Sequence, residues 1–218
     1  QTTGIDLNDE QSGLVPSRDW KRQTHGEAWF PGETVIVGIG QGYLLATPLQ
    51  LAVATAAIAN RGKRVQPRLL ARFENLETGE IVPGREVRIT AITAVDSSLL
   101  DTVIQGMIAV VHGPRGTARA SGRGAAYRMA GKTGTSQLIS IGQDETYDPN
   151  SVPERLRDHA LYITFAPVER PRIALAVVVE NAGSGSRVAA PIARKILDYY
   201  FIERLRRAAL TSPANDFG

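Results

Sequence analysis

Cysteine is absent from this 218-residue chain, so disulfides, thiol nucleophiles and thiolate metal sites are all excluded, and the redox compartment is left open. Lysine is scarce. Only Lys21, Lys63, Lys132 and Lys195 stand among 25 basic residues, the rest being arginine. The three histidines, His25, His112 and His159, have no metal-ligand spacing and read as ordinary structural side chains. No apolar run is long enough to cross a bilayer, since the best, Leu44 to Ala59, is broken by Thr47, Pro48 and Gln50. Nothing resembles a signal peptide, so any membrane anchor is expected outside this chain. Charge of one sign is nowhere concentrated. The net charge is +3 with both signs interspersed, which argues against a nucleic-acid or lipid-binding surface.

What is present is ordinary for a globular protein: 43% hydrophobic and 22% charged residues, enough for a core in one large or two small domains. Residues 1–46 are rich in Gly, Pro and polar groups, with Trp20, Trp29 and Phe30 as isolated anchors, and predict irregular structure. A helix is expected next. Thr47 suits the N-cap, Pro48 the first turn, and Gln50 completes a capping box. Its body, Leu49 to Ala59, is apolar nearly all round and predicts a buried element ended by Asn60-Arg61-Gly62.

Residues 63–95 alternate short β-prone runs with turns at Thr78-Gly79 and Pro83-Gly84, predicting a ribbon. A second helix, capped by Asp96 or Ser97, carries a stripe of Leu99, Leu100, Val103, Ile104, Met107, Ile108 and Val111 and stops at Gly113-Pro114. A Gly/Arg loop (114–127) leads to a strand around Lys132. The polar stretch 138–157 reads as a long loop, of the kind used for lids or binding. A hairpin follows, His159 to Ala166 and Ile173 to Glu180. The last helix is expected from about Val188 to Arg207, with Ile192, Ile196, Tyr199, Tyr200 and Leu205 close to one face. The tail after Ala209 is expected to fray. The pattern is α+β: an antiparallel sheet packed with helices. Ile173 to Val179 is so continuously apolar that it predicts a strand covered on both faces and flanked on both sides, with the extra strands supplied by sequence outside this chain.

Several short patterns invite chemistry and are set aside. Gly38-Ile39-Gly40-Gln41-Gly42 lacks the third glycine of a dinucleotide turn, because Tyr43 occupies that place and the helix starts only at Pro48. Asp158-His159 has no Gly-x-Ser-x-Gly elbow to act with. No serine has a lysine three positions later. Ser184-Gly185-Ser186-Arg187 comes nearest, but arginine cannot act as a base at neutral pH. Ser17-Arg18-Asp19 mimics a Ser-x-Asn motif only loosely.

Met129-Ala130-Gly131-Lys132-Thr133-Gly134-Thr135-Ser136 is different. A Lys-Ser/Thr-Gly tripeptide arises by chance in roughly one chain in ten of this length, and alone it reads as a surface strand with an exposed lysine. Its setting argues otherwise. Apart from Arg128, Lys132 is the only charge in a small-residue, β-prone segment, in a chain that otherwise uses arginine. A compact ammonium can share a proton with a serine oxygen, which a guanidinium does poorly. Gly134 removes a side chain that would block a ligand lying along the strand. Thr133 and Thr135 bracket that gap with hydroxyls able to hold a carboxylate, and a strand edge offers N–H groups to a developing oxyanion.

Lys-Thr-Gly on a strand is one of three signatures of penicillin-interacting serine enzymes. Thr3-Gly4-Ile5-Asp6-Leu7, Gly38 to Tyr43, Thr47 to Leu51, Gly131 to Thr135, Phe165-Ala166-Pro167 and Val178-Val179-Glu180-Asn181 occur in the family's order. Over nearly its whole length the chain resembles the C-terminal part of class B penicillin-binding proteins, the D,D-transpeptidases of bacterial cell-wall synthesis. The Gly-Gln-Gly-Tyr form and Glu154 to Ala160 are most similar to the elongation (rod-shape) branch; the septal branch comes second. A non-catalytic penicillin-sensing relative is the alternative from another class, and a carboxypeptidase or serine β-lactamase shares Lys-Thr-Gly.

The resemblance implies the β-lactamase-like transpeptidase fold, with residues 1–209 as the C-terminal portion of one domain and 210–218 as a flexible tail. It implies Lys132 as the catalytic residue of this segment, supporting proton transfer through the serine of a Ser-x-Asn motif. Thr133, Gly134 and Thr135 would bind substrate, and the Thr135 N–H would form half of the oxyanion hole. No cofactor or metal is implied. The partners implied are the D-Ala-D-Ala stem peptide, β-lactams, a membrane glycan polymerase and other elongation-complex proteins, but no nucleic acid. The site implied is the periplasmic face of the bacterial inner membrane. In the family, the nucleophile helix, first strands and Ser-x-Asn motif precede the Thr3–Leu7 segment. This chain is therefore expected to hold the binding strand without the reacting serine, and to form no covalent penicillin adduct by itself.

Overall fold

The computed structural model describes residues 1–94, 96–137 and 152–204. The chain divides into two compact units, residues 1–101 and 102–218.

The first unit contains two helices in the stretch expected to be irregular. Helix α1 (Arg18–His25) starts where the Ser17 hydroxyl accepts the Trp20 N–H at 3.1 Å and ends at Gly26 with φ 69°. Helix α2 (Pro31–Gly38) starts at Pro31, with the Glu33 carboxylate accepting the Phe30 N–H at 2.7 Å. These local caps override the polar composition that argued for loop. Lys21 joins the two helices. It is buried, its ammonium lies 2.7 Å from Glu33, 3.4 Å from Glu27 and 4.3 Å from the centroid of Phe30. Desolvation would lower its pKa, but Glu33 and Glu27 outweigh that and hold it above the usual lysine value. Gly40 (φ 81°) and Gly42 (φ 72°) make the tight turns that follow.

Helix α3 (Pro48–Ala59) begins as the sequence requires: Thr47 and Gln50 exchange both capping-box hydrogen bonds, at 2.9 and 3.2 Å. Among the described residues it is less covered than its composition implied. Only Thr55, Ala57 and Ala59 are fully buried. The expected ribbon is present as two antiparallel pairs, β1 (Lys63–Val65) with β4 (Ile89–Ala91) and β2 (Arg72–Glu74) with β3 (Ile81–Pro83). Gly79, at φ 70°, closes the inner turn.

Helix α4 (Ser97–His112) begins in the first unit and has most of its length in the second. The Asp96 carboxylate accepts the Ser98 N–H at 2.8 Å. Of the expected stripe, Ile104, Met107, Ile108 and Val111 are buried, whereas Leu99 and Val103 are exposed. The following loop contains one short helix that the sequence did not signal, α5 (Arg119–Gly122).

The second unit is built on an antiparallel sheet of order β5-β6-β7, formed by Ala130–Ser136, His159–Ala166 and Ile173–Val179. Lys132 pairs with Ile163, Thr133 with Tyr162, Gly134 with Leu161 and Thr135 with Ala160. Helix α6 (Ala190–Asp198), extended by wide π-type turns over Gly185–Ala189 and Tyr199–Arg204, packs across one face of the sheet. Its buried side chains are Ala189, Ala190, Ala193 and Leu197, which form one core with Val111, Ala118, Met129, Ala160 and Tyr162. The larger residues Ile192, Ile196 and Tyr199 are exposed, at 39%, 41% and 52%. Large residues point away because small ones let the helix approach the sheet closely. Leu205 and the rest of the expected helix to Arg207 lie outside the described residues, as do the tail 210–218 and most of the 138–157 loop.

Every residue of β7 is half-buried, and among the described residues no strand pairs with its second edge. The two-sided coverage expected from its apolar run is therefore not present among these residues.

Candidate active site

Strand β5 is an edge strand of this sheet, so the Lys132–Thr135 tetrapeptide lies along an open side. Lys132 and Thr135 are exposed, Thr133 and Gly134 half-buried. Three contacts place the strand. The Tyr162 ring lies against Gly131 so tightly that a Cβ there would meet its hydroxyl at 2.2 Å. Burial pushes the phenol pKa of Tyr162 up to about 12, which keeps it neutral. The buried Thr164 hydroxyl donates to the Ala130 carbonyl at 2.7 Å. Gly185, opening the C-terminal helix, lies on the backbone of β5 and β6, where a Cβ would stand 2.4 Å from the Gly134 carbonyl oxygen and 2.2 Å from that of Leu161.

The loop before β5 is tied to the helix on the opposite side. Tyr127 donates to Asp198 at 2.8 Å, and Arg194 grips the same carboxylate with its Nε while its Nη1 donates to the Ser121 carbonyl at 2.8 Å. Burial, with the Asp198 carboxylate adding to it, drives the Tyr127 pKa well above the usual phenol value. The edge is thus held from both ends before any ligand arrives.

On that edge the Lys132 ammonium donates to the Thr133 carbonyl at 2.6 Å. The Thr133 hydroxyl lies 3.0 Å from that of Thr117, and either can donate. Thr117 lines a cavity of about 360 Å³ beside the end of α4. A second cavity, about 500 Å³, is lined by Thr135 together with residues 157–158, 181–184 and 187–188. The sequence therefore placed Lys132, Thr133, Gly134 and Thr135 on one accessible strand, as the structure does. It missed Thr117, whose position in a Gly/Arg loop carries no signal, and Arg157 and Arg187.

The patterns set aside have structural occupations. Ser17 caps α1. His159 accepts the Asn181 N–H through Nδ1 at 2.9 Å, and His112 meets the Met129 backbone. His25 packs edge-on against Trp20 and at a tilt against Tyr43. The Ser184 hydroxyl meets that of Ser186 at 3.0 Å. Among the described residues no group of three His, Asp or Glu side chains has metal-binding geometry. No helix among them is long and apolar enough to cross a membrane.

An open β-edge carrying Lys-Thr-Gly-Thr, backed by a C-terminal helix, defines the penicillin-interacting class of serine enzymes. The chain belongs to the family described as the penicillin binding protein transpeptidase domain, whose model matches residues 1–198. It is 45% identical over 200 residues to the peptidoglycan D,D-transpeptidase MrdA of Salmonella typhimurium, a match covering 91% of this chain and 32% of that protein. The fold is similar to penicillin-binding protein 2 (PBP2) of Pseudomonas aeruginosa, with a TM-score of 0.73 at 42% identity over 91% of this chain and 40% of that one. It is also similar to Helicobacter pylori PBP2, solved in complex with MreC, with a TM-score of 0.73 at 29% identity over 92% and 33% of the two chains. The expected likeness to the elongation branch and the expected fold class both hold. The chain spans about a third of the length of the curated relatives it matches.

Proposed function

We propose that this chain, over residues 1–209, is the C-terminal portion of one transpeptidase domain in a serine D,D-transpeptidase that cross-links peptidoglycan stem peptides during cell elongation. The observation that carries this reading is the accessible Lys132-Thr133-Gly134-Thr135 edge in a chain 45% identical to an MrdA. Serine Oγ attacks the carbonyl carbon of the penultimate D-Ala. The amide C–N bond breaks, and the last D-Ala leaves with a proton. The amine of a neighbouring stem then attacks the ester, and the serine oxygen departs with the proton that amine gives up.

In this scheme Thr133 and Thr135 hold the terminal carboxylate, and Gly134 leaves room for the peptide backbone. The Thr135 N–H stabilises the oxyanion with the nucleophile's own N–H. Lys132 adds positive potential and supports proton transfer through a Ser-x-Asn serine. Its ammonium, resting on a carbonyl, keeps its donors close to the edge. Thr117 can donate to the Thr133 hydroxyl, which frees the Thr133 proton for the carboxylate. β-Lactams take the place of the D-Ala-D-Ala end. The enzyme works at the periplasmic face of the inner membrane, with a MreC-like scaffold and a glycan polymerase as partners. The MreC complex of the H. pylori relative supports the first of these.

The nucleophile comes from outside this chain, because no serine here is followed three residues later by lysine. Fluorescent penicillin should label a protein that joins this segment to a Ser-x-x-Lys helix and a Ser-x-Asn motif, with the label surviving denaturation. The isolated 218-residue chain should stay unlabelled. Labelling of the isolated chain, or none of the joined protein, overturns the reading.

A further inference from the structure

The ribbon of β2 and β3 has no part in the chemistry described above. Every residue from Arg68 to Pro83 is exposed, and the two strands form a sheet by themselves. Phe73, Ile81 and Val82 all face water. A two-stranded pair is marginal without a covered face, so apolar side chains left out on one mark a surface that awaits a partner. The ribbon is nevertheless held in shape at both ends. At its tip the Asn75 side chain accepts the Glu77 and Thr78 N–H groups at 2.9 and 3.2 Å. At its base the Asp6 carboxylate accepts the Leu69 and Leu70 N–H groups, and Arg68 donates to the Arg85 carbonyl at 2.6 Å.

The backbone pairing shows which edge is open. In an antiparallel pair, residues that exchange two backbone hydrogen bonds alternate with residues that turn those groups outward. The Asn75 N–H donates to the Glu80 carbonyl at 2.9 Å and the Gly84 N–H to that of Ala71 at 3.0 Å, with Phe73 opposite Val82 between them. Arg72 and Glu74 therefore point their N–H and C=O groups away from β3. Among the described residues no backbone hydrogen bond occupies them. On the far side Pro83 has no N–H to offer, which blunts the β3 edge. The open edge is that of β2.

We propose that the β2 edge pairs antiparallel with the β2 edge of a second copy of this chain, about a two-fold axis at Phe73. The contact is independent of the transpeptidase reading and goes beyond it. In this register Arg72 lies opposite the partner's Glu74, and Glu74 opposite the partner's Arg72, so both charge pairs attract. These are the residues whose backbone groups point outward, and each pair exchanges two hydrogen bonds. Phe73 meets the partner's Phe73 at the non-hydrogen-bonded position, where side chains approach most closely. Val82 and Phe73 of both copies then form one apolar row across a sheet of order β3-β2-β2-β3. An axis at Arg72 or Glu74 would set like charges face to face, so the sequence selects the axis at Phe73. Such a contact is self-complementary and closes, leaving as outer edges only the two that carry Pro83. A standard interface uses roughly 20–30 residues a side, and this one uses far fewer, so the dimer is weak and is best trapped covalently.

This chain has no cysteine, so one introduced thiol reports the contact. Across a non-hydrogen-bonded pair the Cα atoms stand about 4.5 Å apart, within disulfide range. The intact transpeptidase, with any cysteine outside this segment replaced by serine, is oxidised with diamide and the disulfide-linked dimer is followed over time. Phe73→Cys should cross-link about tenfold or more faster than Leu76→Cys. Random collision would give the opposite order, because Leu76 is 95% exposed and Phe73 58%. In the Phe73→Cys protein, Arg72→Glu and Glu74→Arg should each slow cross-linking by about tenfold or more, and the two together should restore it to within about threefold. Cross-linking at position 76 as fast as at 73 overturns the proposal, as does a double exchange that fails to restore the rate. So does the absence of any cross-link at 73, the result expected if the rest of the intact protein covers this edge.

Discussion

Small apolar residues hold residues 102–137 and 152–204 together, whereas polar side chains clamping backbone hold residues 1–94. In the sheet unit, the buried Ala189, Ala190 and Ala193 pack in the core, and Gly185 lies against β5 and β6 with no room for a methyl group. In the other unit Asp6 accepts the N–H groups of Leu69 and Leu70 at 2.6 and 3.0 Å, and Glu10 accepts those of Thr3 and Gly4 at 2.7 and 3.0 Å. Gln66 reaches the Gly4 carbonyl, and Arg64 that of Thr3 at 2.7 Å. Many of that unit's large apolar side chains, among them Val35, Ile36, Ile39 and Leu45, are exposed. Close packing fixes geometry through sterics and tolerates no added volume. Clamping fixes it through ionised acceptors, and so depends on pH. The Lys132–Thr135 edge sits on the packed unit, where a strand can be held to fractions of an ångström.

The largest expected effect separates function from packing within the sheet unit. Lys132 is exposed, and its one described hydrogen bond is to the neighbouring carbonyl. Lys132→Ala in the intact enzyme should therefore lower penicillin acylation by about 100-fold or more while changing unfolding free energy by less than about 0.5 kcal/mol. Equal loss of stability and acylation would make Lys132 a packing residue. The next test applies one substitution to both units. Gly185→Ala pushes a methyl group onto two backbone carbonyls and should destabilise the chain by about 3 kcal/mol in denaturant unfolding. Gly32→Ala, on α2 with nothing within 4 Å of the added carbon, should be neutral or stabilising by up to about 0.5 kcal/mol. Similar costs at both positions would erase the contrast.

Smaller still, Thr47→Ala removes the hydroxyl that caps α3 and should cost about 1 kcal/mol in the same measurement. That cap was legible in the sequence because its signal is local: Thr, Pro and Gln within four residues. The Lys132–Thr135 strand was legible for a similar reason, its unusual lysine and glycine standing inside one β-prone segment. Helix α1 had local signals too, Ser17 and Gly26, but a polar composition hid them. The burial pattern of the last helix was not legible. The large residues share one face, but which face is buried does not follow from that: close approach to the sheet needs alanine, a demand set by β5 and β6 rather than by the helix. Thr117, Arg157 and Arg187 escaped for the same reason, since only the fold brings them beside the strand.

The smallest effect tests whether the clamped unit is held by charge. Hydrogen bonds from Leu69 and Leu70 hold the Asp6 carboxyl below its ordinary value of 3.8. A carboxyl with a depressed pKa contributes stability in full above its unfolded pKa, about 4, and loses it as pH falls through the lower folded value. Asp6→Asn keeps the shape and removes the charge. The variant should therefore be less stable than the parent at pH 7, and the two unfolding curves should converge as the pH is taken from about 5 to 2. Glu10 does not mask the result. Desolvation alone would raise its pKa, but the Thr3 hydroxyl and the Thr3 and Gly4 N–H groups lower it overall, and both proteins keep that group. A gap between the curves that stays constant across this range would mean that the shape of the Asp6 turn, and not its ionised acceptor, fastens the ribbon. The contrast between the two units would then reduce to how tightly each is packed.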